Sequence, residues 1–376
     1  MIPSDNLNKP DISKILLGAQ PEIIDSGCRY KSLAYPAEMK DIVESGDINY
    51  RRITLQWEML DICQYRCEYC YAHDLLKKHW DKKYHSAYKQ VLSRLKLNSF
   101  PCFEMQLVGG DPTLHPKLFE ICETLNSYKN CIRVEINTNL VKSAKFFSEF
   151  NNAKYNRVCL TASYHPEFAK NDKFIEKCKY INGLSSISEG IHPRKNVHTP
   201  SYILQTSPVT GKSPRFHVSI NLHPDKKYWD KMYEIYNMCI DNKISVGVNY
   251  LTSTRKFHVE YTKEFFDKFG ELMKHTDKES HEYVYSDKTR EELTVHEIKQ
   301  RNINQFRGYN CAPRIWEITQ AGEFVNACTG KPLDILNKKI EEMCKCPHDS
   351  CPCDTMLYFK KTKDDTIVPN LTTDFD

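Results

Sequence analysis

Three cysteines fall within eight positions in "CQYRCEYC", residues 63–70, with the spacing C-x3-C-x2-C. Thiolates are soft metal ligands, and the number supplied decides the chemistry. Four close a structural zinc site or fully ligate an iron–sulfur cluster. Three do something else: a cubane cluster held by Cys63, Cys67 and Cys70 keeps one iron open for a small chelating ligand. A zinc knuckle would instead want paired C-x2-C units with a second pair at a fixed distance.

A second group of cysteines lies near the other end of the chain: Cys311, Cys328, Cys344, Cys346, Cys351 and Cys353. Between Cys311 and Cys328, "RIWEIT" and "EFVNA" alternate like two strands around "QAGE", a hairpin turn. The tail "CKCPHDSCPC" then supplies four more thiols. A hairpin carrying two thiolates and a loop carrying more can build a metal site from distant parts of the sequence, with zinc or iron as the metal. The chain has 16 cysteines among 376 residues. Its first residues lack a basic stretch leading into an apolar core, so no secretion signal is expected and disulfides are not. Cys122 and Cys239 sit in helix-like apolar patterns and read as core.

Elements that repeat along the chain must position the triplet. "RRITLQWEMLD" reads as a strand ending near Asp61, just before the cysteine loop. Strands are expected again at "FEMQLVGG", "IRVEINTNL", "RVCLTASY", "FHVSINL" and "ISVGVNYL", each separated from the next by a helical pattern. Six strands with helices between them define an α/β fold with a parallel sheet, a partial (βα)6 TIM-like barrel. "LHPKLFE", "YHPEFAK" and "LHPDKKY" each follow a strand and open a helix, with proline at the first helical position. His115 and His223 read as caps in these turns, and His165, flanked by Ser163, Tyr164 and Glu167, as cap or site residue in equal measure. The turns lie at the carboxyl ends of strands, where such sheets place their chemistry.

The divisions expected are an N-terminal extension over 1–50, the barrel over 51–255, a helical connector over 256–308 and a cysteine-rich domain with the hairpin over 309–376. Residues 183–215, with six serines and four prolines, read as a long loop. The net charge of +4 neither demands nor excludes nucleic acid. No run of about 18 apolar residues exists, so no membrane span and no membrane partner are expected, and a cytoplasmic location is.

The triplet, with an aromatic residue before its last cysteine and a (βα)6 pattern around it, resembles the radical S-adenosylmethionine superfamily over roughly residues 50–255. The resemblance implies that Cys63, Cys67 and Cys70 hold a [4Fe–4S] cluster whose open iron is chelated by S-adenosylmethionine. One electron then cleaves the sulfonium to a 5′-deoxyadenosyl radical, which takes a hydrogen atom from substrate. It places Tyr69 near the adenine. In "LVGGDPTLHP", Gly109, Gly110 and Asp111 stand where the family has Gly-Gly-Glu, contacting the methionyl amino group. Asn137, Asn139, Ser163 and Asn221 end the third, fourth and fifth strands and match, by position, the family's ribose and carboxylate contacts.

The C-terminal cysteines resemble the SPASM or twitch extensions of the same superfamily, though five residues rather than four separate Gly322 from Cys328 and the tail is compressed. The resemblance implies one auxiliary [4Fe–4S] cluster held by Cys311, Cys328 and two of Cys346, Cys351 and Cys353, ahead of Cys344. It also implies an electron donor such as flavodoxin or ferredoxin. About 50 residues precede the barrel, fewer than a leader-peptide-binding domain usually needs. Modification of a peptide or protein is the leading expectation. Modification of a nucleobase or nucleotide, dehydrogenation of a small molecule, and a non-enzymatic zinc-binding module are the alternatives.

Overall fold

In a computed structural model the protein is described over residues 42–45, 53–70, 72, 87–96, 103–155, 157–185, 216–251, 257–276, 280–286, 288–301, 303–311, 315–332, 344–348, 351 and 361–363. The main sheet has eight strands. Its central run is β2 (Ile53–Leu60), β3 (Phe103–Gly109), β4 (Cys131–Thr138), β5 (Val158–Tyr164), β6 (Phe216–Leu222) and β7 (Val246–Tyr250). Each pairs in parallel with the next, as the sequence predicts. Parallel neighbours need a crossover, and helices supply it. Among those described are α1 (Tyr88–Leu95), α2 (Leu118–Ser127), α3 (Ala144–Ser148), α4 (Asn171–Ser185) and α5 (Trp229–Asp241). The sheet order leaves it open at β7, as in a partial barrel.

The period of two decides what each face can do. In β2, Leu55, Trp57 and Met59 are buried beneath the helices, as are Met105 and Leu107 in β3 and Val134 and Ile136 in β4. Cys122 and Cys239 are fully buried in this same core, as expected of packed thiols. The alternate residues point to the other face and are polar: Thr54, Gln56 and Glu58 from β2, Glu104 and Gln106 from β3, Arg133, Glu135 and Asn137 from β4. Thr161 Oγ1 donates to Glu135 Oε1 at 2.6 Å, and Gln56 Nε2 to Gln106 Oε1 at 2.9 Å, which crosslinks this face laterally.

Three expectations change. The hairpin β11 (Ile315–Ile318) and β12 (Phe324–Asn326) forms as predicted, with Gly322 in the left-handed region at φ +79° in its turn. It does not stand apart, however: β11 pairs in parallel with β2, from Ile315↔Thr54 to Ile318↔Trp57, and so extends the main sheet. Residues 256–308 are more than a helical connector. After α6 (Lys263–Thr276) come β8 (Ser280–Tyr285), β9 (Arg290–Thr294) and the short α7 (Val295–Gln300). Tyr283 and Tyr285 alternate inward and are buried, which makes a strand of this stretch. Finally, the N-terminal extension contributes β1 (Ile42–Ser45) to a second sheet, beside β8 and β14 (Lys361–Thr362). That sheet also takes β10 (Asn310–Cys311) and β13 (Cys344–Lys345). Residues 186–215 and Cys353 lie outside the described residues.

Candidate active site

The cysteine loop follows β2, as expected, and the end of β3 anchors it. Gly110 N donates to Leu60 O at 2.7 Å and Asp111 N to Ile62 O at 2.8 Å. The glycine pair explains how the backbones come so close. A Cβ on Gly110 would sit 2.1 Å from Ile62 O, and one on Gly109, whose φ is +115°, would sit 2.4 Å from Leu60 O. The sequence anticipates a close approach at these glycines. The atoms that approach belong to the cysteine loop's own backbone.

Asp111 is fully buried and tied into the protein. Its carboxylate accepts from Thr113 N and Thr113 Oγ1 on one side, and from Thr138 Oγ1 and Asn139 N on the other. It thereby caps the turn after β3 and fastens β3 to β4. Burial pushes its pKa up, against these four donors. Asn139 Nδ2, held by the same knot, donates to Cys63 Sγ at 3.4 Å, while Asn139 Oδ1 is buried with no hydrogen-bond partner.

The three predicted thiols are gathered in one loop. Cys63 and Cys67 are buried and Cys70 half-buried, and all three are free. Burial raises the pKa of each, that of Cys70 to about 11, and for Cys67 the neighbouring Glu167, Cys70 and Cys63 raise it further. As bare thiols they stay protonated at neutral pH. A bound metal would reverse this, because a coordinating thiol is deprotonated outright. Among the described residues no three Cys, His, Asp or Glu side chains converge on a point that one ion could occupy. A cubane does not need that, since it spreads three thiolates over three irons. Three free thiols in one loop, beside a glycine-lined approach and the orphaned Asn139 Oδ1, fit such a cluster.

The three His-Pro turns differ. His115 Nδ1 accepts from Lys117 N and His223 Nδ1 from Asp225 N, each at 3.1 Å, so both are local caps. His165 instead turns toward the cysteine loop. Its Nδ1 lies 3.3 Å from Cys67 Sγ, 2.8 Å from the Tyr69 hydroxyl and 3.4 Å from Asn221 Nδ2. Tyr69 stacks on the His165 ring at 6.0 Å and meets His223 and Phe257 edge-on. Asn221 is in turn held by Asn249, whose Nδ2 donates to its Oδ1 at 3.3 Å. Burial pushes His165 down to about 4, with Glu167 opposing, so its ring is neutral near pH 7. Ser163 and Asn137 lie on the polar face, in register with Ser219 and Thr161.

Further residues complete the site; of these, the sequence marks Glu167 only as a neighbour of His165. Glu167 accepts from Glu68 N at 3.2 Å and lies 3.5 Å from His223 Nε2. Phe168 stacks on Tyr65 at 5.1 Å. Glu317, brought in by β11 on the same face as Glu58, is pushed up to about 8 by burial and by the Glu58 charge. Only the parallel pairing of β11 with β2 makes that couple, and nothing local announces it.

The second cysteine group is partly assembled. Cys311, Cys346 and Cys351 are buried in one apolar core with Tyr283 and Phe306, and Cys328 packs against it. Cys311 pairs with Cys344 across β10 and β13. Burial raises the Cys311 pKa, while the buried Lys361 lowers it. Asn304 clasps Cys351, accepting from its N–H at 2.8 Å through its carbonyl and donating through Nδ2 to its carbonyl at 3.1 Å.

Residues 57–179 match the family model described as the Radical SAM superfamily. These residues thus carry a domain of that superfamily. None of the curated proteins matches it. Among solved structures it is similar in part to Streptococcus suis SuiB bound to S-adenosylmethionine, at a TM-score of 0.46 and 13% identity over 77% of this chain and 65% of that one. SuiB bound to precursor peptide SuiA gives 0.41 and 14%, over 80% and 64%. BtrN in complex with AdoMet and 2-DOIA gives 0.28 and 13%, over 76% of each. The chain thus spans slightly less than two thirds of the SuiB chain.

No helix among the described residues is long and apolar enough to cross a membrane.

Proposed function

We infer that the protein binds a [4Fe–4S] cluster through Cys63, Cys67 and Cys70, takes S-adenosylmethionine at its open iron, and modifies a peptide or protein by radical chemistry. The observation that carries this reading is the triplet itself: three free thiols in a loop pinned to a Gly-Gly turn at the carboxyl ends of parallel strands. When bound, the cluster and S-adenosylmethionine supply the radical that removes a hydrogen atom from substrate; the protein selects which atom.

The chain's own residues have separable tasks in this reading. Leu60, Ile62, Gly110 and Asp111 set the height of the cysteine loop above the sheet. Asn139 and the Tyr65 N–H donate to Cys63, and His165 and Tyr69 face Cys67. Asn137, Ser163 and Asn221 line the strand ends where S-adenosylmethionine would lie. Asp111 acts on that cosubstrate indirectly, by holding the turn, since its oxygens are already engaged.

A peptide would meet only the partly open part of the polar face, since Thr54, Glu104, Gln106, Arg133 and Glu135 on that face are buried. On the open part the carboxylates of Glu58 and Glu317, and the amides of Gln56 and Asn137, are at least partly accessible. Polar groups of a peptide would find partners along it. A flavodoxin or ferredoxin would supply the electron.

Cys311, Cys328, Cys346 and Cys351 are the ligands we assign to an auxiliary [4Fe–4S] cluster of a SPASM- or twitch-like region. Lys361, beside Cys311, offsets part of the charge of four thiolates. The same four thiols also satisfy a closed tetrahedral zinc site, which is the second reading. Iron, zinc and acid-labile sulfide measured in anaerobically purified protein distinguish the two. About eight irons per chain are expected for two cubanes. About four irons with one zinc supports the second reading for the tail, and zinc without sulfide overturns the whole proposal.

A further inference from the structure

The turn after β5 does something that its two sequence relatives do not. His115 and His223 spend Nδ1 on the backbone N–H two residues ahead. His165 leaves that N–H and faces the cysteine loop. Three consecutive contacts fix the turn there. Glu167 accepts from Glu68 N, Phe168 lies flat on Tyr65, and the His165 ring lies parallel to Tyr69 with its Nδ1 between the Tyr69 hydroxyl and Cys67 Sγ. Asn221 Nδ2 lies 3.4 Å from the same nitrogen, on an amide held by Asn249. A ring held by this turn and carrying its proton on Nδ1 is aimed at the Tyr69 hydroxyl and one sulfur of the triplet.

Hydrogen bonds to cluster sulfurs stabilise the reduced, more negatively charged state and so raise the reduction potential. The other triplet sulfurs have different neighbours. Cys63 takes weak bonds from the Tyr65 N–H and Asn139, both at 3.4 Å.

We propose that His165 is a positioning residue that sets the reduction potential of the triplet's cluster by hydrogen bonding to the Cys67 sulfur. This rests on the reading of Cys63, Cys67 and Cys70 as cluster ligands, which the iron and sulfide content of the unaltered protein tests separately. The Tyr69 hydroxyl bonds to the same nitrogen and also to Cys67 Sγ, so the ring fixes the direction of both contacts.

The test compares His165→Phe, which keeps a flat ring and loses the nitrogen, with His165→Asn, whose amide nitrogen occupies nearly the place of Nδ1. Both are purified anaerobically, checked for iron content equal to that of the unaltered protein, and titrated with reductant while the reduced cluster is followed by electron paramagnetic resonance. At the potential where the unaltered cluster is half reduced, the reduced-to-oxidised ratio is expected to fall about tenfold in His165→Phe. That corresponds to about 59 mV for one electron. It should recover in His165→Asn. An unchanged ratio in His165→Phe at full iron content overturns the proposal.

Should the Phe variant lose its cluster, the unaltered protein still decides the matter. Labelled with 15N-histidine, its reduced cluster should show a weak nitrogen coupling in pulsed resonance that disappears in His165→Asn. No coupling, or a coupling that survives that substitution, overturns the assignment.

Discussion

Gly110→Ala is the smallest change that should separate a glycine needed for the cysteine loop from one that is merely tolerated. The added Cβ would lie 2.1 Å from Ile62 O, 2.4 Å from Ile62 C and 2.8 Å from Ile62 N. All three are backbone atoms, so no side chain can swing aside. Reaching an ordinary contact of 3.4 Å requires the loop to retreat by about 1.3 Å. The bonds from Gly110 N to Leu60 O at 2.7 Å and from Asp111 N to Ile62 O at 2.8 Å do not survive such a move. Two lost hydrogen bonds cost about 1 kcal/mol each. Overpacking strain adds about 1–3 kcal/mol. The sum, about 3–5 kcal/mol, should lower the thermal midpoint by roughly 4–6 °C. Because the residues that retreat carry Cys63, iron retained after desalting should fall as well. Gly183 and Gly270 serve as controls. A Cβ at either meets nothing within 4 Å, and both sit in helices, so alanine there should be neutral or stabilising by about 0.5–1 kcal/mol. Urea unfolding and iron analysis of the three variants decide it. A Gly110→Ala protein with normal stability and normal iron would refute the geometry on which the site is built.

Asp111→Asn puts an amide NH2 against the donors from Thr113, Thr138 and Asn139, and should cost about 2–3 kcal/mol in urea unfolding; a cost below 0.5 kcal/mol would remove Asp111 as the knot between β3 and β4. Glu317, pushed up to about 8, holds a proton in the folded chain that it releases in the unfolded one between about pH 4.5 and 8. Its contribution to stability is therefore fully present at low pH and lost as pH rises through 8. Glu317→Gln should be the more stable protein at pH 8.5 by at least about 1 kcal/mol, the worth of under one pK unit, and an unchanged pH profile counts against the Glu58–Glu317 couple. Cys311→Ala with Cys346→Ala should lower iron by about four atoms per chain while leaving the triplet's cluster in place. Circular dichroism must first show a native fold, and unchanged iron would argue for zinc in the tail.

The six parallel strands and their crossovers are legible because each strand alternates between an apolar face under the helices and a polar face opposite. The triplet and the glycine pair are legible for a chemical reason, since few other residues bind soft metals or admit a backbone contact at 2.7 Å. Pairing is another matter. The hairpin at Ile315–Asn326 is local and could be read, but its union with β2 joins residues some 260 positions apart and leaves no local trace. Ile42–Ser45 is only four residues long, too short for a periodic signal, and is made a strand by its neighbours β8 and β14. The His-Pro turns show the same limit at a smaller scale. One motif, repeated three times, yields two local caps and one ring facing a cysteine, because Tyr65, Glu68 and Tyr69 are present to hold only the middle turn.

Cys63, Cys67 and Cys70, as proposed holders of the cluster on which S-adenosylmethionine is cleaved, must each be needed for that cleavage. Formation of 5′-deoxyadenosine under reducing, anaerobic conditions, measured by mass spectrometry in the unaltered protein and in Cys63→Ala, Cys67→Ala and Cys70→Ala, tests it most directly. The unaltered protein is expected to form 5′-deoxyadenosine, and none of the three variants to form it above background. Formation at the unaltered rate in even one of them, with its fold intact, would contradict it.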